Sequence, residues 1–126
     1  MNTPDLLQLQ QWAENVVVKT IRTLPDDLRA HAEALPVTFE DLPPEDAAED
    51  GIDPDTLGLF VGPELGDPEG AVLDVPSQVI LYLENLWAFA EEDEDLFRGE
   101  VRTTYLHELG HYLGLTEAEL EERGLL

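Results

Sequence analysis

The chain has 126 residues, the usual size of one domain, and we predict a single domain over residues 1–126. Hydrophobic residues make up 43%, enough for a packed core, and the lack of cysteine excludes disulfides, iron–sulfur clusters and thiolate zinc sites. With 29 Asp and Glu against 6 Lys and Arg, the formal net charge is -23, so we expect neither nucleic acid nor an anionic membrane as a partner.

The N-terminal segment is predicted to form a long amphipathic helix that ends near Pro25, with Thr3 as its N-cap. Its apolar stripe recurs at helical spacing and comprises Leu6, Leu9, Ala13, Val16, Val17, Thr20 and Leu24. This segment has neither a basic start nor an even apolar run, so we expect no signal peptide and a cytoplasmic protein. A shorter helix is predicted over residues 26–35, since Pro36 stops it.

The middle of the chain is predicted to form the sheet. Residues 37–40 alternate apolar and polar side chains, which is typical of a half-buried strand. An acidic segment rich in Pro and Gly, residues 41–55, is predicted to be a loop, and residues 57–61 a second strand. A second such loop, residues 62–76, leads to a third strand at 77–83.

The C-terminal part is predicted to be helical. A short helix is expected over residues 84–90, and the acidic run 91–95 then opens a long helix that reaches Leu113 and stops at Gly114. Thr116 and Glu119 have the spacing of a capping box and begin a last helix. The predicted fold is α+β: a small, mainly three-stranded sheet with a long N-terminal helix and a C-terminal helix pair.

Two of the three histidines lie in the segment His107-Glu108-Leu109-Gly110-His111, which has the HExxH spacing. On a helix, residues four apart lie on one face, so the two imidazoles can converge on one tetrahedral zinc ion. Glu108 lies about 100° round the helix from His107, where its carboxylate can reach a water on the metal without becoming a ligand. These three side chains are therefore the candidate metal-binding and catalytic residues.

A helical wheel drawn from Phe97 supports this assignment. One half of the helix is apolar and comprises Phe97, Val101, Tyr105, Leu106, Leu109, Tyr112 and Leu113. His107 and His111 fall outside this half, beside Glu100, and Glu108 lies at its boundary. We therefore expect one side of the helix to be buried and the other to face a cleft. Arg102 falls within the apolar half, so we expect it to have a carboxylate partner.

The pattern continues beyond His111 as HExxHxxGxxE and ends at Glu117. Residues 107–115 resemble the zinc-binding segment of the metzincins, particularly the matrixins, in which a glycine turns the chain toward a third histidine ligand. Gly114 matches that glycine. The chain departs from the metzincin pattern because Glu117 occupies the third-ligand position and because no methionine follows Met1, so the Met-turn is absent.

These departures, with the short chain and the C-terminal motif, are similar to the small bacterial zincin-like metallopeptidase family. The specific part of the resemblance is residues 107–117. It implies a minimal zincin-like domain with one Zn²⁺, His107 and His111 as zinc ligands, Glu108 as the general base and Glu117 as an acidic third ligand. Zinc accepts carboxylate oxygen readily.

The third ligand has alternatives. Glu117 is also the type of residue that a helix favours in its first turn. Glu119, a loop aspartate such as Asp53 or Asp67, or no third protein ligand remain open. A glutamate ligand on a later helix, as in the gluzincins, fits poorly because only residues 112–126 follow the motif.

The resemblance implies a zinc-dependent metallopeptidase that hydrolyses peptide bonds with a zinc-activated water and Glu108 as general base. In zincins the substrate lies antiparallel to an edge strand, which residues 37–40 or 57–61 can supply. The negative charge favours neutral or basic peptide or protein substrates. The alternative is a non-catalytic acidic metal-binding or regulatory protein that retains a zincin-like site; hydrolysis of a non-peptide amide is a third option.

An extra electrophile for the oxyanion is not evident in the sequence. Tyr82, Tyr105 and Tyr112 are the available tyrosines. Tyr105 and Tyr112 map to the apolar half of the helix, so we predict that both belong to the core.

Overall fold

The predicted α+β fold is confirmed by a computed structural model that describes residues 4–67 and 76–125. The described elements are α1 (Leu6–Arg22), α2 (Asp26–Ala34), β1 (Val37–Glu40), a 3₁₀-helix (Glu45–Asp50), β2 (Gly58–Val61), β3 (Gln78–Tyr82), α3 (Leu83–Phe89), α4 (Glu94–Leu113) and α5 (Glu117–Glu122). Thr3 and most of the predicted loop 62–76 lie outside the described residues. None of the described helices is long and apolar enough to cross a membrane.

The three strands form one mixed sheet with β3 in the centre. β1 runs parallel to β3, with Val37 opposite Val79, and β2 runs antiparallel to it, with Leu59 opposite Ile80. The central position of β3 explains why its residues are apolar on both faces. β1 and β2 are therefore the two edges of the sheet in the part of the chain that the structure describes.

The core lies between the sheet and the helices. α1 buries the predicted stripe of Leu9, Ala13, Val16, Val17 and Thr20. Trp12 on this helix packs against Trp87 of α3 and Phe97 of α4, with ring centroids 6.0 and 6.2 Å apart. These aromatic contacts hold α1 and α3 against α4, which carries the HExxH segment.

Two local predictions are corrected. α1 begins at Leu6, because the Asp5 carboxylate accepts a hydrogen bond from the Gln8 N–H at 2.8 Å and takes the N-cap position. Residues 45–50, predicted as loop, form a 3₁₀-helix. The predicted start of the long helix within the acidic run 91–95 is confirmed: the helix begins at Glu94, and Asp93 caps it through the Leu96 N–H at 2.9 Å.

The expectation for Arg102 is wrong. Its side chain is exposed, and it forms no ion pair with the residues described by the structure. A helical wheel does not show how much of the apolar half is covered by other elements. Arg102 lies where the helix is open to solvent. It therefore needs no buried partner.

Candidate active site

α4 presents the candidate residues as the helical wheel predicted. Its core side buries residues that include Phe97, Val101, Tyr105, Leu106 and Leu109. His107 is half-buried, His111 is exposed, and Glu108 is 8% exposed. The two histidines thus face the open side of the helix, while Glu108 lies beneath β2.

The two histidines are neighbours on this face. Their ring centroids are 4.9 Å apart. His107 Nδ1 lies 3.3 Å from a carboxylate oxygen of Glu117, and His111 Nδ1 lies 3.4 Å from a carboxylate oxygen of Glu108. The structure therefore brings all four predicted site residues together, as two pairs.

A tight turn carries Glu117 back to the helix. Gly114 is left-handed, with φ +73°, and the Leu115 N–H donates to the Gly110 carbonyl at 2.9 Å. This is the hydrogen bond of a Schellman motif, and it favours glycine at the left-handed position. Thr116 and Glu119 then form the predicted capping box, with both hydrogen bonds at 3.1 Å. The helix stop at Gly114 and the capping box are confirmed.

Gly110, inside the HExxH segment, lets α5 approach α4. A Cβ at this position would lie 2.8 Å from Cδ1 of Leu120, a side chain that is 2% exposed. The missing side chain therefore makes room for the contact that holds α5, and with it Glu117, against the site. The role of Gly110 is not predictable from the sequence, because it depends on where α5 packs.

β2 covers Glu108. Burial raises the pKa of the Glu108 carboxyl, and His111, His107 and a hydrogen bond from the Phe60 backbone lower it in that order. Phe60 belongs to β2, and its ring packs on Tyr112 at 5.8 Å between centroids. Of the two candidate edge strands, β2 is thus the one that contacts the candidate catalytic carboxylate.

A cavity of about 270 Å³ opens between β2 and α4 beside these residues. It is lined by Leu57, Gly58, Glu100, Thr103, Thr104, His107 and Glu108. A larger cavity, of about 740 Å³, lies between the start of α1 and α3, and no histidine lines it. Size alone would select the larger cavity, but the smaller one contains the candidate chemistry, and we assign the site to it.

The alternative third ligands lie in other settings. The carboxylate of Glu119 closes the capping box. Asp53 lies in the turn before β2, where its backbone oxygen accepts a hydrogen bond from the Thr56 hydroxyl at 2.7 Å. The Asp67 N–H donates to the Glu64 carbonyl at 3.1 Å in the loop after β2. Of the five acidic candidates for ligand or base, Glu117 and Glu108 are those whose contacts with the histidines are defined.

Glu64 is a residue near the site that the sequence analysis missed. Its carboxylate lies 3.9 Å from the position that a Cβ of Gly114 would occupy. The loop that carries it is held to the end of α4 by a hydrogen bond from the Leu65 N–H to the Tyr112 carbonyl at 2.7 Å. No local signal distinguishes Glu64 from the other acidic loop residues, because this contact depends on the path of the chain after β2.

The donor set suits zinc. Two imidazoles and a carboxylate are ordinary zinc ligands, and in a tetrahedral site two such donor atoms lie about 3.3 Å apart. His107 Nδ1 and the Glu117 carboxylate lie 3.3 Å apart, close enough for both residues to reach one ion. Within residues 4–67 and 76–125, however, no group of three or more His, Asp or Glu is arranged to hold a metal ion. The donors fit zinc in kind, and they lie as two pairs, His107 with Glu117 and His111 with Glu108.

An α+β domain with an HExxH helix beside an antiparallel edge strand has the architecture of a zincin. The sequence model of the zincin-like metallopeptidase family matches residues 32–125, which include the whole segment from His107 to Glu117. The chain therefore belongs to the zincin-like metallopeptidase family, and the predicted resemblance is confirmed. Membership of this family implies a hydrolase that binds zinc. No curated protein sequence matches the chain.

Proposed function

We propose that the protein is a zinc-dependent peptidase in which His107, His111 and Glu117 hold one Zn²⁺ and Glu108 is the general base. The observation that carries the proposal is the contact of Glu117 with His107 within the segment matched by the family. This contact supplies an acidic donor at the position where the motif needs a third ligand.

The bound zinc would supply a Lewis acid that polarises the substrate carbonyl and makes water a stronger nucleophile near neutral pH. Glu108 accepts the proton of the attacking water and delivers it to the leaving amine. Its burial under β2 raises the pKa of its carboxyl, and this raised pKa favours both transfers because a general base works best when its pKa approaches the working pH.

β2 is the proposed docking edge for the substrate. One side of β2 pairs with β3, and the strand packs over Glu108 through Phe60. An extended peptide that pairs with the other side of β2 would pass the candidate catalytic carboxylate. Neutral or basic peptides are the proposed substrates, because the net charge of -23 repels acidic ones.

The test combines metal analysis with peptide cleavage. Protein dialysed against zinc is expected to hold one zinc per chain and to cleave members of a random peptide library, detected by mass spectrometry. Glu108→Gln is expected to keep the zinc and to lose about 10²-fold or more in kcat/KM, because the amide cannot accept the proton. Glu121→Gln, which removes the same charge from an exposed position on α5, is the matched control and should cleave normally.

The main alternative is a non-catalytic acidic metal-binding or regulatory protein. One observation favours it: Tyr82 and Tyr105 are 2% and 0% exposed, which leaves the partly exposed Tyr112 as the one tyrosine with surface from which to reach a substrate. Zinc bound at one per chain with no cleavage by the unaltered protein would support this alternative. Cleavage that survives in Glu108→Gln would disprove the proposed mechanism.

A further inference from the structure

The cavity beside His107 contains a half-buried carboxylate, that of Glu100, which has no partner among the residues that the structure describes. Glu100 lies on α4, two turns before His107, and lines the cavity of about 270 Å³. Among the residues described by the structure, it makes no hydrogen bond and no ion pair. A cation that enters the cavity would form a charge-assisted contact with this carboxylate.

The chain's own cations are directed elsewhere. None of the described residues that line the cavity is Lys or Arg. Arg98 pairs with Glu94 at 3.0 Å, and Arg102 is exposed and lines a different pocket, against α1. Residues two apart on a helix do not face each other, so neither arginine projects from the face that carries Glu100. A basic group on a ligand can therefore supply the partner that the described residues do not.

The shape of the cavity suits a long side chain. Leu57 and Gly58 form one wall, and Thr103 and Thr104 contribute to the other. His107 and Glu100 are seven residues apart on the helix, which is about 10 Å along its axis. A side chain with an apolar stem and a charged end can lie along these walls while its end reaches Glu100.

We propose that Glu100 is a specificity residue that selects peptides with Lys or Arg next to the scissile bond. The proposal rests on the proposed function, because it places the substrate backbone along β2 and the reacting carbonyl near His107 and Glu108. The basic side chain then enters the cavity, and its charged end binds the Glu100 carboxylate. The overall negative charge of the chain favours peptides with a basic residue at any position, whereas Glu100 favours a basic residue at one position.

The test measures binding in a Glu108→Gln background, so that no peptide is consumed. The probes are acetylated alanine hexapeptide amides with one Lys placed in turn at each position, and the same set with norleucine in place of Lys. At one position, Lys is expected to bind about tenfold or more tightly than norleucine by calorimetry, the gain of one charge-assisted contact. Adding Glu100→Gln should reduce that ratio to less than about threefold.

Glu33→Gln is the matched control, since it removes the same charge from an exposed position on α2. It should leave the Lys-to-norleucine ratio unchanged. An equal fall in both variants would mean that the overall negative field, not Glu100, selects Lys, and would overturn the proposal. So would a ratio that survives in Glu100→Gln, or the absence of any Lys preference.

Cleavage by the zinc-loaded protein separates this proposal from the proposed function. If peptides are cleaved, kcat/KM should show the same Lys preference at the same position, and Glu100→Gln should remove it. If no peptide is cleaved, the proposed function fails, and the binding ratios still decide whether Glu100 recognises a basic side chain.

Discussion

At the residue scale, Glu117 and Glu119 lie in the same turn of α5 but have different partners. The Glu117 carboxylate lies 3.3 Å from His107, whereas the Glu119 carboxylate accepts a hydrogen bond from the Thr116 N–H at 3.1 Å. In a chain with 29 acidic residues, an acidic residue near a motif carries little information on its own. The contacts are what separate the candidate ligand from the helix cap.

This difference predicts opposite effects for two identical substitutions. Glu117→Gln should weaken zinc binding by at least about tenfold, because a neutral amide replaces a charged ligand. Glu119→Gln should leave the zinc Kd within about twofold, since Gln also completes a capping box. Competition with a chromophoric zinc chelator measures both.

The same pair of variants tests the alternatives. If Glu119→Gln weakens zinc binding and Glu117→Gln does not, the ligand is Glu119. If neither variant changes the Kd, these two glutamates are not ligands, and Asp53, Asp67 or a site without a third protein ligand remain to be tested.

At the element scale, what was predictable from the sequence depended on local interactions. The HExxH face, the stop at Gly114 and the capping box at Thr116 follow from spacing within one or two turns, and the structure has all three. The acidic run 91–95 predicted where α4 starts, and the structure has the cap at Asp93 within it; such a run favours a helix start without fixing which residue caps it. The choice of β2 as the strand over Glu108 depends on strand order, which no local pattern specifies.

Gly58 shows the same dependence on tertiary contacts. A Cβ at this position would lie 2.6 Å from Cγ2 of Thr104 and 3.3 Å from the backbone oxygen of Ile80. Its lack of a side chain therefore sets how closely β2 lies against α4, and hence the width of the cavity. In the sequence, Gly58 is only a glycine within a strand pattern, which predicts a close backbone approach without naming the partner.

Gly58→Ala is expected to lower the free energy of unfolding by about 1–3 kcal/mol, since the added methyl overlaps a packed side chain. Gly99→Ala is the matched control. Gly99 is on the exposed side of α4 with no atom within 4 Å of its Cβ position, so this change should raise stability by about 0.5–1 kcal/mol. Urea denaturation measures both.

Thr104 provides the check on the mechanism. Thr104→Ser removes the methyl that the added Cβ overlaps, so in the Gly58→Ala background it should recover part of the lost stability. A double-mutant cycle between Thr104→Ser and Gly99→Ala should show no coupling. Equal stability of Gly58→Ala and the unaltered protein would contradict the close approach of β2 to α4.

At the scale of the whole molecule, α1 lies outside the matched family segment but inside the core. The match begins at residue 32, after the end of α1. Trp12 nevertheless contacts Trp87 and Phe97, whose own rings are 5.8 Å apart, so this aromatic cluster connects α1, α3 and the site helix α4. Since α4 has its apolar side against α1, we expect the site helix to keep its position only while α1 is packed.

Substitution of two leucines at the start of α1 tests the prediction of a single domain. Leu9 is 2% exposed and Leu7 is 64% exposed. Leu9→Ala should lower the free energy of unfolding by about 2–5 kcal/mol, because it leaves a cavity in the core, whereas Leu7→Ala should change it by less than about 0.5 kcal/mol.

Two spectroscopic probes show whether α1 unfolds together with the site. The two Trp residues both lie in the aromatic cluster, so their fluorescence reports the packing of α1 in that cluster, while circular dichroism reports all the helices. In a single cooperative domain, Leu9→Ala shifts both transitions together. A fluorescence transition that moves to lower urea while the dichroism transition stays would mean that α1 unfolds separately from the site.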